Sequence, residues 1–170
     1  MVAATLLAGA ACGSSNGQAS RSPSPSPSHG PAFVAVSPAV PPCQLLTGDE
    51  VSALAGMQVA TESGGGQVPS ACQYSDESLT SQVTVLLHTY SDGASARADF
   101  DALSNGYEQE GNSAVPIAGV GDVAAIFRFG SSSDAILFAK HSAFVAIAVQ
   151  PAATDDALTT AASAAAGRLP

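Results

Sequence analysis

The chain has 170 residues, 14 Asp and Glu against five Lys and Arg, a formal net charge of −9, and only 11% charged residues. An acidic surface of this kind repels phosphate backbones, which bind through Lys and Arg that displace counterions, so nucleic acid is set aside as a partner. All 14 acids lie beyond Pro42, where Arg97, Arg128, Lys140 and Arg168 are the bases. Cys43 to Pro170 therefore carries −10, and its length is that of one domain with one core.

Residues Val2 to Ala11 are almost wholly apolar, with small residues just before Cys12. This matches the apolar core and cleavage region of an export signal. Ten apolar residues fall short of the roughly 20 that a helix needs to cross a bilayer, so a transmembrane anchor is not expected. The stretch "LLAGAAC" resembles the bacterial lipobox, in which a peptidase cuts immediately before a cysteine bearing a diacylglyceryl group. Gly9 stands where that motif usually has Leu, and no Lys or Arg precedes the apolar run, as if the start codon were placed too late. The expectation is a lipoprotein signal over residues 1–12, with Cys12 lipidated and the protein held on the extracytoplasmic face of the cell membrane. A cleaved, freely secreted product is the alternative.

Residues 13–42 read as a tether. They hold seven of the 11 prolines and eight serines, leaving little apolar area to offset the entropy of ordering them. A flexible spacer of this length averages about 30 Å end to end. A Pro-rich recognition segment is the competing reading of "SPSPSPS". The more apolar "AFVAVSPAV" (Ala32 to Val40) is expected to add an edge strand to the domain.

From Cys43 the punctuation changes. Cys43 and Cys72 are the cysteines left after Cys12, and an exported pair is most simply a disulfide, with two separate buried thiols as the alternative. Closing that loop would stabilise the fold by roughly 3 to 4 kcal/mol. The wide spacing with no neighbouring His argues against a zinc site. Between them, "LLTGDEVSALAG" offers Thr47 as cap, Glu50 to complete a capping box and Gly56 as a left-handed stop, which predicts a helix of about two turns.

A second helix is written in "SDGASARADFDALSNGY". Ala96, Phe100, Leu103 and Tyr107 form its core-facing stripe, and Arg97, Asp99 and Asp101 are expected on the solvated side. The third, "TDDALTTAASAAAGRLP", has Thr154 as cap and a narrow seam of Leu158, Ala161, Ala162, Ala165 and Leu169. Its small residues imply close approach to a sheet. Strands are read in "ACQYSD", "QVTVLLHTY", "DVAAIFRF", "DAILFAK" and "AFVAIAVQP", the last three as a meander. The fold class is α+β: an antiparallel sheet of about five strands packed with three helices, one disulfide.

No catalytic motif emerges. "GVGDVA" (Gly119 to Ala124) has the letters of a dinucleotide fingerprint, but a strand follows it where the phosphate needs a helix N-terminus, so it reads as a turn. "GGG" (Gly64 to Gly66) reads as a mobile loop. His29, His88 and His141 are scattered, and Asp99 and Asp101 point about 200° apart on their helix. No catalytic residue, cofactor or metal ligand is assigned. Tyr74, Tyr90 and Tyr107 are candidate ligand contacts, set against a core role for each.

The segments "PCQLLTGDEVSALAG", "ACQYSD", "VTVLLHTYSDGASARADFDAL" and "VPIAGVGDVAAIF" together resemble the actinobacterial lipoproteins of the DUF3558 type, over about Pro42 to Leu169. Mycobacterial lipoproteins with a Mog1/PsbP-like sandwich are a looser neighbour. The resemblance implies a small α+β envelope domain with a disulfide and carries no established activity. The expected function is a non-catalytic binding or interaction module of the cell envelope, with an envelope protein or a small ligand as partner. The alternative is a small extracytoplasmic hydrolase or transferase with an unrecognised site.

Overall fold

A computed structural model describes residues 35–64 and 70–170, all within the unit Phe33–Pro170. The expected signal segment with Cys12, His29, most of the tether, and Gly65 and Gly66 lie outside the described residues. The elements run β1 (Ala35–Val36), a 3₁₀ turn (Pro42–Gln44), α1 (Gly48–Ala55), β2 (Thr61–Gly64), β3 (Ala71–Ser75), β4 (Gln82–Tyr90), α2 (Gly93–Gln109), β5 (Ala114–Pro116), β6 (Val123–Phe129), β7 (Ser133–Lys140), β8 (Ala143–Gln150) and α3 (Asp155–Arg168). The unit thus begins upstream of Cys43.

Period-two alternation sets the sheet. Val83, Val85 and Leu87 of β4 point to one face, and Leu86, His88 and Tyr90 to the other. Seven antiparallel strands pair in the order β2-β3-β4-β8-β7-β6-β5, with β1 paired to the end of β4 at Tyr90 and Thr89. The β6–β7–β8 meander forms as its turn residues require. The expected count of about five strands is corrected to seven plus the two-residue β1. Of the expected edge strand in Ala32 to Val40, the described residues, which start at Ala35, hold that two-residue stub. The unforeseen strands are β2, exposed at all four residues, and β5, three residues ending in Pro116; neither has a buried alternation to betray it.

Helices cover both faces. On one, α1 and α3 pack over Val85, Ile136, Val145 and Ile147, with Leu158, Ala161, Ala162, Ala165 and Leu169 of the alanine seam all buried. On the other, α2 lays Ala96 and Phe100 over Phe127, Leu137 and Phe144. The capping box at α1 forms in both directions, Glu50 N–H to Thr47 and Thr47 N–H to Glu50 (2.7 Å), and Gly56 closes the helix at φ 63°. Cys43 and Cys72 are joined with Cα atoms 5.1 Å apart, which ties the 3₁₀ turn to β3.

Charged side chains close the joints between layers. Arg168 donates to the Leu45 carbonyl and to Glu50, both at 2.8 Å. Lys140 Nζ donates to the Ala166 and Leu169 carbonyls at the end of α3, where cations are favoured. Arg128 bridges the buried Asp134 (2.5 Å) to Asp155 at the start of α3. The "GVGD" stretch turns and enters β6. Gly121 is required there by both conformation and space: φ is +57°, and a Cβ would sit 2.4 Å from the Ala139 carbonyl oxygen.

Candidate functional site

Helix α2 carries a feature on each flank. Toward β4, Asp99 Oδ2 accepts from the Tyr90 hydroxyl at 2.5 Å and lies 2.8 Å from His88 Nδ1. The Asp99 side chain is 24% exposed, so it is not on the solvated side with Arg97 and Asp101, and the sequence expectation is corrected there. The residue that truly faces solvent is Asp101, which pairs with Arg97 at 2.9 Å one turn away. The angular argument separating the two aspartates holds. What it could not supply is the strand across which Asp99 finds its partners.

This trio brings together a base and its orienting carboxylate, the half-assembly on which nucleophilic catalysis relies. Among the described residues no hydroxyl or thiol hydrogen-bonds the other ring nitrogen of His88. Tyr90 competes for the same carboxylate oxygen that holds His88. Burial, then the bond to Asp99 and its charge, push the Tyr90 phenol well above its ordinary range. His141 is remote in role: it sits exposed in the β7–β8 turn, where its N–H donates to Asp122 at 2.6 Å.

On its other flank α2 faces the β5–β6 hairpin across a groove of about 370 Å³. Phe100 and Val123 line its apolar part, and Asp101, Asn105 and Glu108 its polar rim. Ser104 lies in the helix face between them and is 9% exposed, and its Oγ is sealed from solvent without a hydrogen-bond partner. A buried hydroxyl left unpaired costs about 1–3 kcal/mol; Asp134 Oδ1 is the other sealed side-chain atom without a hydrogen-bond partner among the described residues. A second groove of about 310 Å³ runs between α1 and α3, with Glu50 and Asp156 among small residues.

The three tyrosines fall differently from one another. Tyr74 is fully buried and donates to the Cys43 and Leu46 carbonyls, both at 3.1 Å, which removes it as a ligand contact. Burial, aided by the charges of Glu62 and Glu50, pushes its phenol up to about 12. Tyr90 is buried in the trio. Tyr107 is half-buried, its ring edge-on to Phe127 and Phe129 at 5.2 and 4.8 Å. Glu62 approaches the sulfurs of Cys43 and Cys72, but their mutual bond consumes both thiolates, so these three are no metal site.

The sequence carries the α2 side of the groove but not its opposite wall. Asp101, Ser104 and Glu108 recur at i, i+3 and i+7, one polar strip beside the apolar stripe. Comparison with known proteins does not assign the chain: no protein-family model matches it, and no curated protein does.

Proposed function

We propose that this protein is a non-catalytic binding module of the cell envelope, held on the extracytoplasmic face of the membrane by a lipid on Cys12, and that it takes a small ligand in the α2/β5–β6 groove. The single observation that carries this reading is the unpartnered Ser104 hydroxyl in the wall of a groove. A buried polar group without a partner inside the fold calls for one from outside, and a bound molecule in the groove would supply it. The volume lies at the lower end of the range for small-molecule pockets, roughly 300–1,000 Å³. The Cys43–Cys72 disulfide is compatible with an oxidising compartment. The resemblance to DUF3558-type lipoproteins agrees with the same location.

A small hydrolase or transferase is the second reading, favoured by the His88–Asp99 contact. It lacks a nucleophile within reach among the described residues.

The test is to purify the protein from its native envelope, release bound compounds by denaturation, and identify them by mass spectrometry. A variant with the groove filled, Ala114→Phe, serves as control once its melting temperature matches the parent. A compound present in the parent and missing from the variant is expected. Equal recovery from both, or recovery from neither, contradicts the groove as the binding site.

A further inference from the structure

We propose that reduction of the Cys43–Cys72 bond opens a zinc site made of both thiolates and the Glu62 carboxylate, separate from the α2 groove and independent of what binds there. The sheet register builds it. Gly64 of β2 stands across from Cys72 of β3, and Glu62 across from Tyr74, which makes Glu62 the diagonal neighbour of Cys72 on one face. Cys43, in the 3₁₀ turn, reaches the same point through the disulfide. A carboxylate oxygen of Glu62 and the two sulfurs all lie within 4.8 Å of one another. Gly64 keeps the place open, since a Cβ there would sit 3.2 Å from Cys43 Sγ. The Glu62 side chain is exposed and has no hydrogen bond or ion pair among the described residues, whereas Cys72 is buried, so an ion enters from the Glu62 side.

In the oxidised protein the shared bond occupies both sulfurs, and it also holds them where an ion can use them once it is broken. A dithiol reductant supplies two electrons and two protons: the S–S bond is cleaved to two thiols, and the reductant becomes a disulfide. Zn²⁺ then takes both sulfurs as thiolates, and the two thiol protons pass to solvent. With Zn–S bonds of about 2.3 Å in a tetrahedron, the sulfurs stand roughly 3.8 Å apart. Cα atoms 5.1 Å apart allow that separation. Glu62 is the third ligand and water takes the fourth position. Two thiolates favour zinc over Mg²⁺ and Ca²⁺, which take oxygen ligands. The ion restores the tie between the 3₁₀ turn and β3 that reduction removes, and adds β2 to it.

The experiment uses the full chain with Cys12→Ser, which leaves Cys43 and Cys72 as its cysteines. The protein is reduced with a phosphine, freed of it under argon, and titrated with Co²⁺ and then Zn²⁺. One Co²⁺ per chain is expected, with a thiolate-to-cobalt charge-transfer band in the near ultraviolet and tetrahedral bands in the visible, all abolished by Zn²⁺. Glu62→Gln should weaken Zn²⁺ at least about tenfold. At a hundredfold excess over its dissociation constant, Zn²⁺ should raise the melting temperature of the reduced protein by about 5 °C or more and leave the oxidised protein unchanged. Amide spectra of the reduced protein report its fold, and Glu62→Gln tells a built site from two thiols on a loosened chain. No charge-transfer band after reduction, equal Zn²⁺ affinity in parent and Glu62→Gln, or an equal band in the oxidised protein overturns the site.

Discussion

Arg168 Nη2 donates to Glu50 Oε1 at 2.8 Å, joining the last turn of α3 to the first turn of α1 across 118 residues of sequence. The same guanidinium holds the Leu45 carbonyl, so one side chain fixes two helix ends and the 3₁₀ turn between them. Partial burial pushes the Glu50 carboxyl upward, but the bonds from Arg168 and Thr47 outweigh it and hold the group below its ordinary value.

Replacing Arg168 by Met should therefore destabilise the domain by about 1–2 kcal/mol at neutral pH, read from denaturant midpoints. The folded-state value of Glu50 is depressed, so its contribution is present above the unfolded-state value and lost as pH falls through the folded one. The gap between parent and variant should narrow below about pH 4. A gap independent of pH would mean that the Leu45 bond alone carries the effect.

Two glycines of the "GVGD" turn differ in a way that can be measured. Gly119 has φ +84° with open space around it, whereas Gly121 combines φ +57° with the close Ala139 carbonyl. Gly119→Ala should cost about 1 kcal/mol from backbone strain alone, and Gly121→Ala at least about 2–3 kcal/mol, because β7 must move as well. Equal losses in thermal melts would refute the packing constraint at Gly121.

The three tyrosines should resist alkali. Tyr74 is pushed up to about 12, and Tyr90 and Tyr107 are raised by burial and by nearby carboxylates. A raised folded-state value contributes stability below the unfolded-state value of about 10, and that stability drains away as pH climbs through the folded one. Absorbance at 295 nm should show no ordinary phenol titrating in the folded protein. Asp99→Ala should move one phenol, Tyr90, downward, since both its bond and its charge are lost. An unchanged titration would show that burial alone sets it.

Reduction of the Cys43–Cys72 bond should lower stability by roughly 3–4 kcal/mol, and the melting temperature by on the order of 10 °C. Calorimetry with and without reductant reads this directly. A loss well under about 1 kcal/mol would show that the 3₁₀ turn and β3 stay docked through the Tyr74 bonds to Cys43 and Leu46 alone.

What the sequence discloses depends on range. The α1 cap needs only Thr47 and Glu50, three residues apart, and the α2 stripe only its own periodicity; both are legible. β5 is invisible because three residues ending in proline carry no alternation, and it earns its place by pairing with β6. The role of Asp99 depends on β4 lying under α2, and the role of Ser104 on β5 and β6 forming the opposite wall. Nothing local to either residue encodes that. Arg128, Lys140 and Arg168 are likewise legible as charges but not as clamps, since apart from Asp134, close to Arg128 in the chain, their partners are 25 to 123 residues away.

The most direct measurement is a crystal structure of the protein purified from its native envelope with its ligand retained. A bound small molecule between α2 and the β5–β6 hairpin, with a polar atom within hydrogen-bond distance of Ser104 Oγ, is the result expected. A ligand seated instead between α1 and α3, or against His88 with the α2 groove empty, would contradict it.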